Sequence, residues 1–195
     1  MVSWGIFGDS IVFGAYDKKE GGWADRLKKH FLNSNTDVDI YNFGVSGDTT
    51  KLLLQRFEVE CNSIEPDGII ISMGINDSAV IWTKNWVSPE KYEKNLKELY
   101  NKAKKFTNKV IFVGLTRVDE TKTQPIPWDT EKSYNEKNVL KYNQIVKLFC
   151  KKNKILFIDM HNNLNKEDLE DGVHPNSKGH EKIFKKVKDF LVEKV

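Results

Sequence analysis

Residues 67–73 hold three isoleucines in a row, Ile69, Ile70 and Ile71. Successive side chains of a strand point to opposite faces, so this run offers apolar surface on both sides and leaves neither for water. Such a strand has to be covered above and below, which is the condition of a strand inside a parallel sheet. Four more short apolar runs, at 2–7, 38–43, 110–115 and 155–158, are candidates to pair with it. The stretches between them have helical periodicity. Trp23, Leu27 and Phe31 recur at helical spacing, and Asp48 is placed to cap a helix through Leu52 and Phe57. Ser88-Pro89-Glu90 opens a long helix to about Phe106, with serine as cap and proline in the first turn. Its apolar face is Tyr92, Leu96, Leu99, Ala103 and Phe106. A helix over 138–151 presents Val139, Tyr142, Val146 and Phe149. A last helix over 177–193 buries Ile183, Phe184, Val187, Phe190 and Leu191. Strand and helix alternate about five times, the pattern of an α/β sandwich with a mainly parallel sheet.

The chain has 195 residues, enough for a substantial core, and no repeat or linker divides it, so one domain over 1–195 is expected. Hydrophobic residues make up 39% and charged residues 30%, an ordinary globular balance. Lysine plus arginine is 31 and aspartate plus glutamate 28, a net charge of +3 with both signs interleaved. A nucleic-acid partner would call for concentrated positive charge. Met1 leads straight into an apolar strand pattern without a basic signal segment. No apolar run approaches the roughly 20 residues of a membrane span. These features predict a soluble, cytoplasmic protein. Cys61 and Cys150 form no C-x-x-C and no metal-type spacing. Two buried thiols in a reducing compartment is the preferred reading over a disulfide. Residues 117–135 form the one long irregular stretch, with Pro125, Pro127 and Trp128. A loop of that length in a compact domain is functional or mobile, and this one is a candidate lid.

Ligands of a parallel α/β sheet bind at the carboxyl ends of its strands. The first run here ends in Gly8-Asp9-Ser10, the second in Gly44-Val45-Ser46-Gly47-Asp48, and the third in Gly74-Ile75-Asn76-Asp77. Asp171-Gly172-Val173-His174-Pro175 follows the fifth. A serine hydroxyl attacks only when a base takes its proton, and a histidine base needs a carboxylate to fix its tautomer. Ser10, His174 and Asp171 supply those three groups, and an irregular, glycine-containing loop is expected to follow Ser10. The oxyanion of a tetrahedral intermediate needs donors. The Ser10 N–H, the Gly44 N–H and the Asn76 side-chain amide are the candidates. Plainer roles compete. Gly8-Asp9-Ser10 suits a turn with a helix cap, Asp77 suits a cap, and the Gly44 loop could hold an anion, which would make the chain a nucleotide- or phosphate-binding protein. Asp171, His174 and His161 lack any zinc-site spacing, so no metal is expected. His30 and His180 read as helix-surface residues.

These four blocks resemble those of the SGNH (GDSL) hydrolases. Gly8, Asp9 and Ser10 match the first block, Gly44 the second, Gly74, Asn76 and Asp77 the third, and Asp171 with His174 the fourth. The resemblance runs from residue 8 to residue 175, in order. Ile11 departs from the leucine of the name-giving motif. Gly-x-Ser-x-Gly, the mark of the other common serine-esterase fold, is missing. The resemblance implies a three-layer, flavodoxin-like α/β/α sandwich around an about five-stranded sheet. It implies hydrolysis of esters or thioesters with no metal and no organic cofactor. The expectation is a serine esterase for small-molecule esters with short acyl groups, such as a carbohydrate O-deacetylase. A thioesterase or lysophospholipase for longer chains is the alternative within the enzymes, and a non-catalytic binding module on the same fold the alternative outside them. Asp9, Trp82, Trp86, Arg117 and Trp128 are candidate substrate contacts, the tryptophans for stacking or an acyl pocket and Arg117 for an anionic group.

Overall fold

The computed structural model describes residues 2–192. Its central strand is β3 (Gly68–Ser72), in which Ile69, Ile70 and Ile71 are all fully buried. Around it lie β1 (Val2–Gly8), β2 (Val38–Gly44), β6 (Val110–Val113) and β8 (Leu156–Ile158). Their order is β2-β1-β3-β6-β8, and every neighbouring pair is parallel. Two helical layers cover the sheet: α2 (Trp23–Leu32) packs on α6 (Ser177–Val192), and α4 (Pro89–Ala103) packs between α3 (Thr50–Ile64) and α5 (Glu136–Asn153). This is the α/β/α sandwich that the alternating pattern implies. Register then decides where the site falls. Gly8 of β1 lies opposite Gly44 of β2 and Ser72 of β3, so three strands end side by side at one edge.

The expected apolar faces are buried, with Tyr92, Leu96, Leu99 and Ala103 on α4 and Val139, Tyr142 and Val146 on α5. On α6, Ile183, Val187 and Leu191 are buried, while Phe184 and Phe190 pack at the margin of the core. The expected end of that helix at Glu193 lies outside the described residues. Ser88 caps α4 as its Oγ accepts from the Lys91 N–H. The helix stops at Ala103 rather than Phe106, although Phe106 still packs against the core. Cys61 and Cys150 are free and buried. No helix among the described residues is long and apolar enough to cross a membrane.

Three local expectations need correction. Asp48 does not cap α3: Thr49 holds that position, and Asp48 instead turns its carboxylate to Arg56, two turns along the helix, at 2.7 Å. Ser10 does not begin an irregular loop but a one-turn helix, α1 (Ser10–Phe13), whose cap is Asp9 accepting from the Ile11 N–H. Finally, 117–135 is not structureless. It contains β7 (Lys132–Ser133), which pairs antiparallel with β4 (Val80–Ile81); β4 also pairs with β5 (Lys84–Asn85) in a small second sheet. Tyr134 and Thr123 exchange backbone and side-chain bonds inside the loop, and the Asp119 N–H donates to the Gly172 carbonyl.

Because β3 is packed from both sides, Ile70→Ala is expected to cost about 2–5 kcal/mol and Ile70→Val about 0.5–1.5 kcal/mol, measured by urea denaturation. Equal, small losses for both would mean that one face of β3 is not closed.

Candidate active site

The fourth block folds as a tight turn. Leu169 bridges to Pro175, and the Glu170 N–H donates to the His174 carbonyl at 2.8 Å. Gly172 sits at φ +92°, and a Cβ there would meet the 117–135 loop, so the turn favours glycine at this point. The turn points Asp171 and His174 at each other: Asp171 Oδ1 accepts from the Val173 and His174 N–H groups at 2.9 and 2.8 Å, and Oδ2 lies 2.6 Å from His174 Nδ1. Burial acts to raise the Asp171 carboxyl, but the His174 ring and these N–H groups together hold it below its usual range. An ionised Asp171 only accepts, so Nδ1 carries the proton and Nε2 is left with a lone pair. That Nε2 lies 2.8 Å from Ser10 Oγ. The two rows of bonds make one continuous path from carboxylate to hydroxyl across a sequence separation of more than 160 residues.

The candidate oxyanion donors lie around Ser10. As the first residue of α1, Ser10 has no intrahelical partner for its N–H. Gly44 lies under the end of α1, where a Cβ would come within 2.1 Å of the Phe13 backbone nitrogen, so nothing larger than glycine fits without moving the backbone. Its N–H donates to Asn42 Oδ1 at 2.9 Å. A substrate oxygen would therefore have to share this donor with Asn42. Asn76 is buried, and one Nδ2 hydrogen goes to the Asp48 carbonyl at 3.0 Å, which leaves the other free to donate. Its Oδ1 accepts from the Tyr134 hydroxyl at 2.8 Å and from Lys132 Nζ at 3.2 Å.

Three aspartates are buried at this edge, and each is treated differently. Asp48 pairs with Arg56, which also donates to the Gly8 carbonyl at 3.1 Å and so ties α3 to the end of β1. Asp77 accepts from the Thr50 N–H and hydroxyl, capping α3 from a distance, which is the structural role foreseen for it on another element. Burial nevertheless pushes its carboxyl up to about 6. Asp9 receives only the Ile11 N–H among the bonds to its side chain, and burial pushes it up from 3.8 to about 7, against the opposing pull of that N–H and of His174.

The other candidates divide. The Trp128 ring lies 6.1 Å from the His174 ring and is half exposed. Trp86 stacks under the Lys132 ammonium at 4.2 Å, on the Asn76 side. Trp82 sits at φ 57° in the turn between β4 and β5, largely exposed and without a ring contact to the triad. Arg117 faces Glu136 at 3.6 Å and the Leu164 carbonyl at 3.4 Å, so it holds the loop rather than the cleft. Asp9 is the buried cap of α1. His161 bonds Glu136 at 3.0 Å, and no cluster among the described residues could hold a metal ion.

Sequence reasoning missed several contributors. His180 is fully buried, not on the helix surface: its Nε2 donates to the Ala15 carbonyl at 3.0 Å and its Nδ1 accepts from the Trp23 N–H at 3.3 Å. Burial, against that Ala15 bond, lowers its pKa. The signal was present, since 180, 183, 187 and 191 share one helical stripe. Tyr16, half exposed with its ring 5.4 Å from that of His174, carried no signal, and neither did Tyr134 or Lys132, which reach Asn76 through strand pairing.

Fold and site together describe an α/β/α protein with a Ser–His–Asp constellation at the carboxyl edge of its sheet. Residues 6–182 match the model of the GDSL-like lipase/acylhydrolase family. The chain belongs to that family, a family of ester-bond hydrolases. It is 32% identical over 125 residues to the isoamyl acetate-hydrolyzing esterase 1 homolog of Homo sapiens, which covers 60% of this chain and 48% of that protein. It is 33% identical over 72 residues to an arylesterase of Vibrio mimicus, 37% of this chain and 36% of that one. The chain thus spans about half or less of the length of these relatives. Among solved structures, a lipase/acylhydrolase from Enterococcus faecalis superposes with a TM-score of 0.83 at 21% identity, covering 98% of this chain and 95% of that one. A catalytic mutant of an acetylxylan esterase from Geobacillus stearothermophilus does so with a TM-score of 0.75 at 20% identity, covering 96% and 93%. At these identities the structural likeness establishes the fold.

The Asp9 shift has a stability consequence with a definite sign. A carboxyl whose folded pKa is raised keeps its proton in the native state where the unfolded chain has lost it. Its contribution is therefore full below about pH 4 and is lost as pH rises to about 7. Asp9→Asn, which stays neutral, is expected to gain stability relative to wild type across that window, with a slope of at most about 1.4 kcal/mol per pH unit, the value for one proton. Urea denaturation of both proteins from pH 4 to pH 7 measures it, and a constant difference would mean that Asp9 titrates normally.

Proposed function

We propose that this chain is a serine esterase for small-molecule esters with short acyl groups, and that one domain carries the whole activity. The observation that carries the reading is the unbroken path Asp171 Oδ2–His174 Nδ1 and His174 Nε2–Ser10 Oγ at 2.6 and 2.8 Å. Ser10 Oγ attacks the ester carbonyl carbon while His174 Nε2 takes its proton. The carbonyl oxygen becomes an oxyanion that accepts from the Ser10 N–H, the free Asn76 Nδ2–H and the Gly44 N–H. The intermediate collapses, the C–O bond to the alcohol breaks, and the imidazolium returns the proton to the leaving alkoxide. Water, deprotonated by the same histidine, then attacks the acyl-serine and releases the acid and Ser10. Asp171 orients His174 and stabilises its charged form throughout. No metal or organic cofactor is needed for these steps.

The alcohol is best read as a sugar, which makes carbohydrate O-deacetylation the favoured reaction. Tyr16 and Trp128 present half-exposed aromatic rings near the His174 ring, suited to stacking on a pyranose ring. The groove beside Gly44 mixes Phe13 and Tyr16 with Asp17, Lys18, Asp25 and Asn42, a lining suited to hydroxyl-rich groups. The acetate and acetylxylan in the names of two relatives agree with a short acyl group. The two buried thiols, both pushed up to about 12 by burial, suit a reducing, cytoplasmic setting.

Hydrolysis of p-nitrophenyl esters from acetate to long acyl chains, with Ser10→Ala as the blank, is the test. Ser10→Ala is expected to abolish turnover with the fold intact, and activity is expected to fall with chain length. Activity peaking at long chains would move the substrate to lipids or thioesters. No Ser10 labelling by a fluorophosphonate would favour a binding module. Asn76→Ala is expected to lower kcat by roughly 10²–10³, the usual loss for one oxyanion donor. An unchanged kcat would remove Asn76 from the hole.

A further inference from the structure

The Asn76 amide is held between unlike partners. On its Oδ1 side stand the Tyr134 hydroxyl at 2.8 Å and the Lys132 ammonium at 3.2 Å. On its Nδ2 side stands the Asp48 carbonyl at 3.0 Å. An ammonium only donates and a carbonyl only accepts, so rotating the amide by 180° would set its NH₂ against the ammonium and its oxygen against the carbonyl. A flipped amide would also turn a lone pair, not an N–H, toward a substrate oxyanion. The partners on Oδ1 do more than fix direction. Donors on an amide oxygen draw electron density from the nitrogen and make the remaining N–H a stronger donor, the cooperative effect expected in a buried network.

Strand pairing delivers both residues. Val80↔Ser133 and Ile81↔Lys132 set β7 beside the segment that follows Asn76. Residues 132 and 134 are two apart in an extended segment, so they share a face while Ser133 takes the other. The Lys132 ammonium is further confined over the Trp86 ring at 4.2 Å and the Tyr134 ring at 5.2 Å. Tyr134 is buried, so its hydroxyl has little water to compete with.

We propose that Lys132 and Tyr134 are positioning residues of the oxyanion hole, holding the Asn76 amide in its donating orientation and strengthening its free N–H. The proposal rests on the esterase reading above. Neither residue belongs to the four blocks, and neither touches Ser10, His174 or Asp171 by a hydrogen bond among the described residues. The charged and titratable groups that face Lys132 are Asp129 on its own loop, Asp9 at the start of α1 and the Tyr134 hydroxyl. Burial pushes Lys132 down to about 8, with Asp129 and Asp9 opposing the shift. Its charge is therefore present below about pH 8 and lost above it.

The experiment is steady-state kinetics on p-nitrophenyl acetate with Tyr134→Phe, Lys132→Met, Lys132→Arg, Asn76→Ala and the double variant Asn76→Ala/Tyr134→Phe, each checked for fold by circular dichroism. Tyr134→Phe and Lys132→Met are each expected to lower kcat about tenfold, the worth of one net hydrogen bond, with KM within about twofold. In the Asn76→Ala background, Tyr134→Phe is expected to lose its effect, because there is no amide left to hold. Wild-type kcat is expected to decline above about pH 8, whereas Lys132→Arg, which keeps its charge, holds its plateau. An equal tenfold loss from Tyr134→Phe with and without Asn76 would overturn the proposal, as would a rise in KM at constant kcat or identical pH profiles for wild type and Lys132→Arg. An unchanged kcat in Asn76→Ala would overturn it too, whereas failure of the esterase reading itself looks different: Ser10→Ala would retain the wild-type rate.

Discussion

Burial of Ile69, Ile70 and Ile71 on both faces of β3 requires helices above and below the sheet, and helices on both faces require crossover connections. Each crossover returns the chain to the same end of the sheet, so all five strands run one way and all their carboxyl ends meet one edge. Register sharpens this into a site. Gly8, Gly44 and Ser72 stand opposite one another, and Ser10 and Asn76, just beyond two of these ends, gather with Gly44 at the third. Glycine at 44 lets α1 pass directly over the end of β2, which brings the backbone of the second block against Val12 and Phe13 at the end of the helix. The location of the chemistry is thus a consequence of how an apolar strand is covered.

Gathering polar ends at a buried edge has an electrostatic cost, and the structure meets it unevenly. Asp48 has a guanidinium and Asp77 has a helix N-terminus with a hydroxyl. Asp9 has one N–H, and its carboxyl rises to about 7 as a result. The His174 ring and the Ile11 N–H oppose that rise without cancelling it. Asp9 caps the helix turn that begins with Ser10, so it helps to fix where that hydroxyl stands.

The architecture was legible because it follows from periodicity. The isoleucine run, the α4 face from Tyr92 to Ala103 and the Ser88 cap are local patterns whose physics is contained in a few residues. The candidate residues Ser10, Asp171, His174 and Asn76 stood out in the sequence for a related reason, since chemistry narrows the residue types and strand ends narrow their places. What escaped depends on partners far away in the chain. Asp48 reads as a cap until Arg56 competes for its carboxylate. His180 reads as surface if histidine is judged by polarity, and as core once the stripe of 183, 187 and 191 is extended back one turn. Tyr134 acquires its meaning only from a pairing more than 50 residues away, and nothing within 117–135 announces that pairing.

That loop is long because of what it has to join. It leaves the end of β6 and anchors its first turn where the Val118 N–H meets Glu136 and the Asp119 N–H meets Gly172. The second anchor is the turn that carries Asp171 and His174. It then places Trp128 beside the His174 ring, pairs with β4 and sets Tyr134 against Asn76 before α5 begins. One segment therefore reaches both the His174 ring and the Asn76 amide, which come from distant parts of the sequence. An asparagine amide has nearly the same shape in both orientations, so packing alone discriminates poorly between them. Donors on one side and an acceptor on the other do discriminate, and supplying the donors requires a chain that reaches from the end of β6 to the Asn76 amide beyond β3.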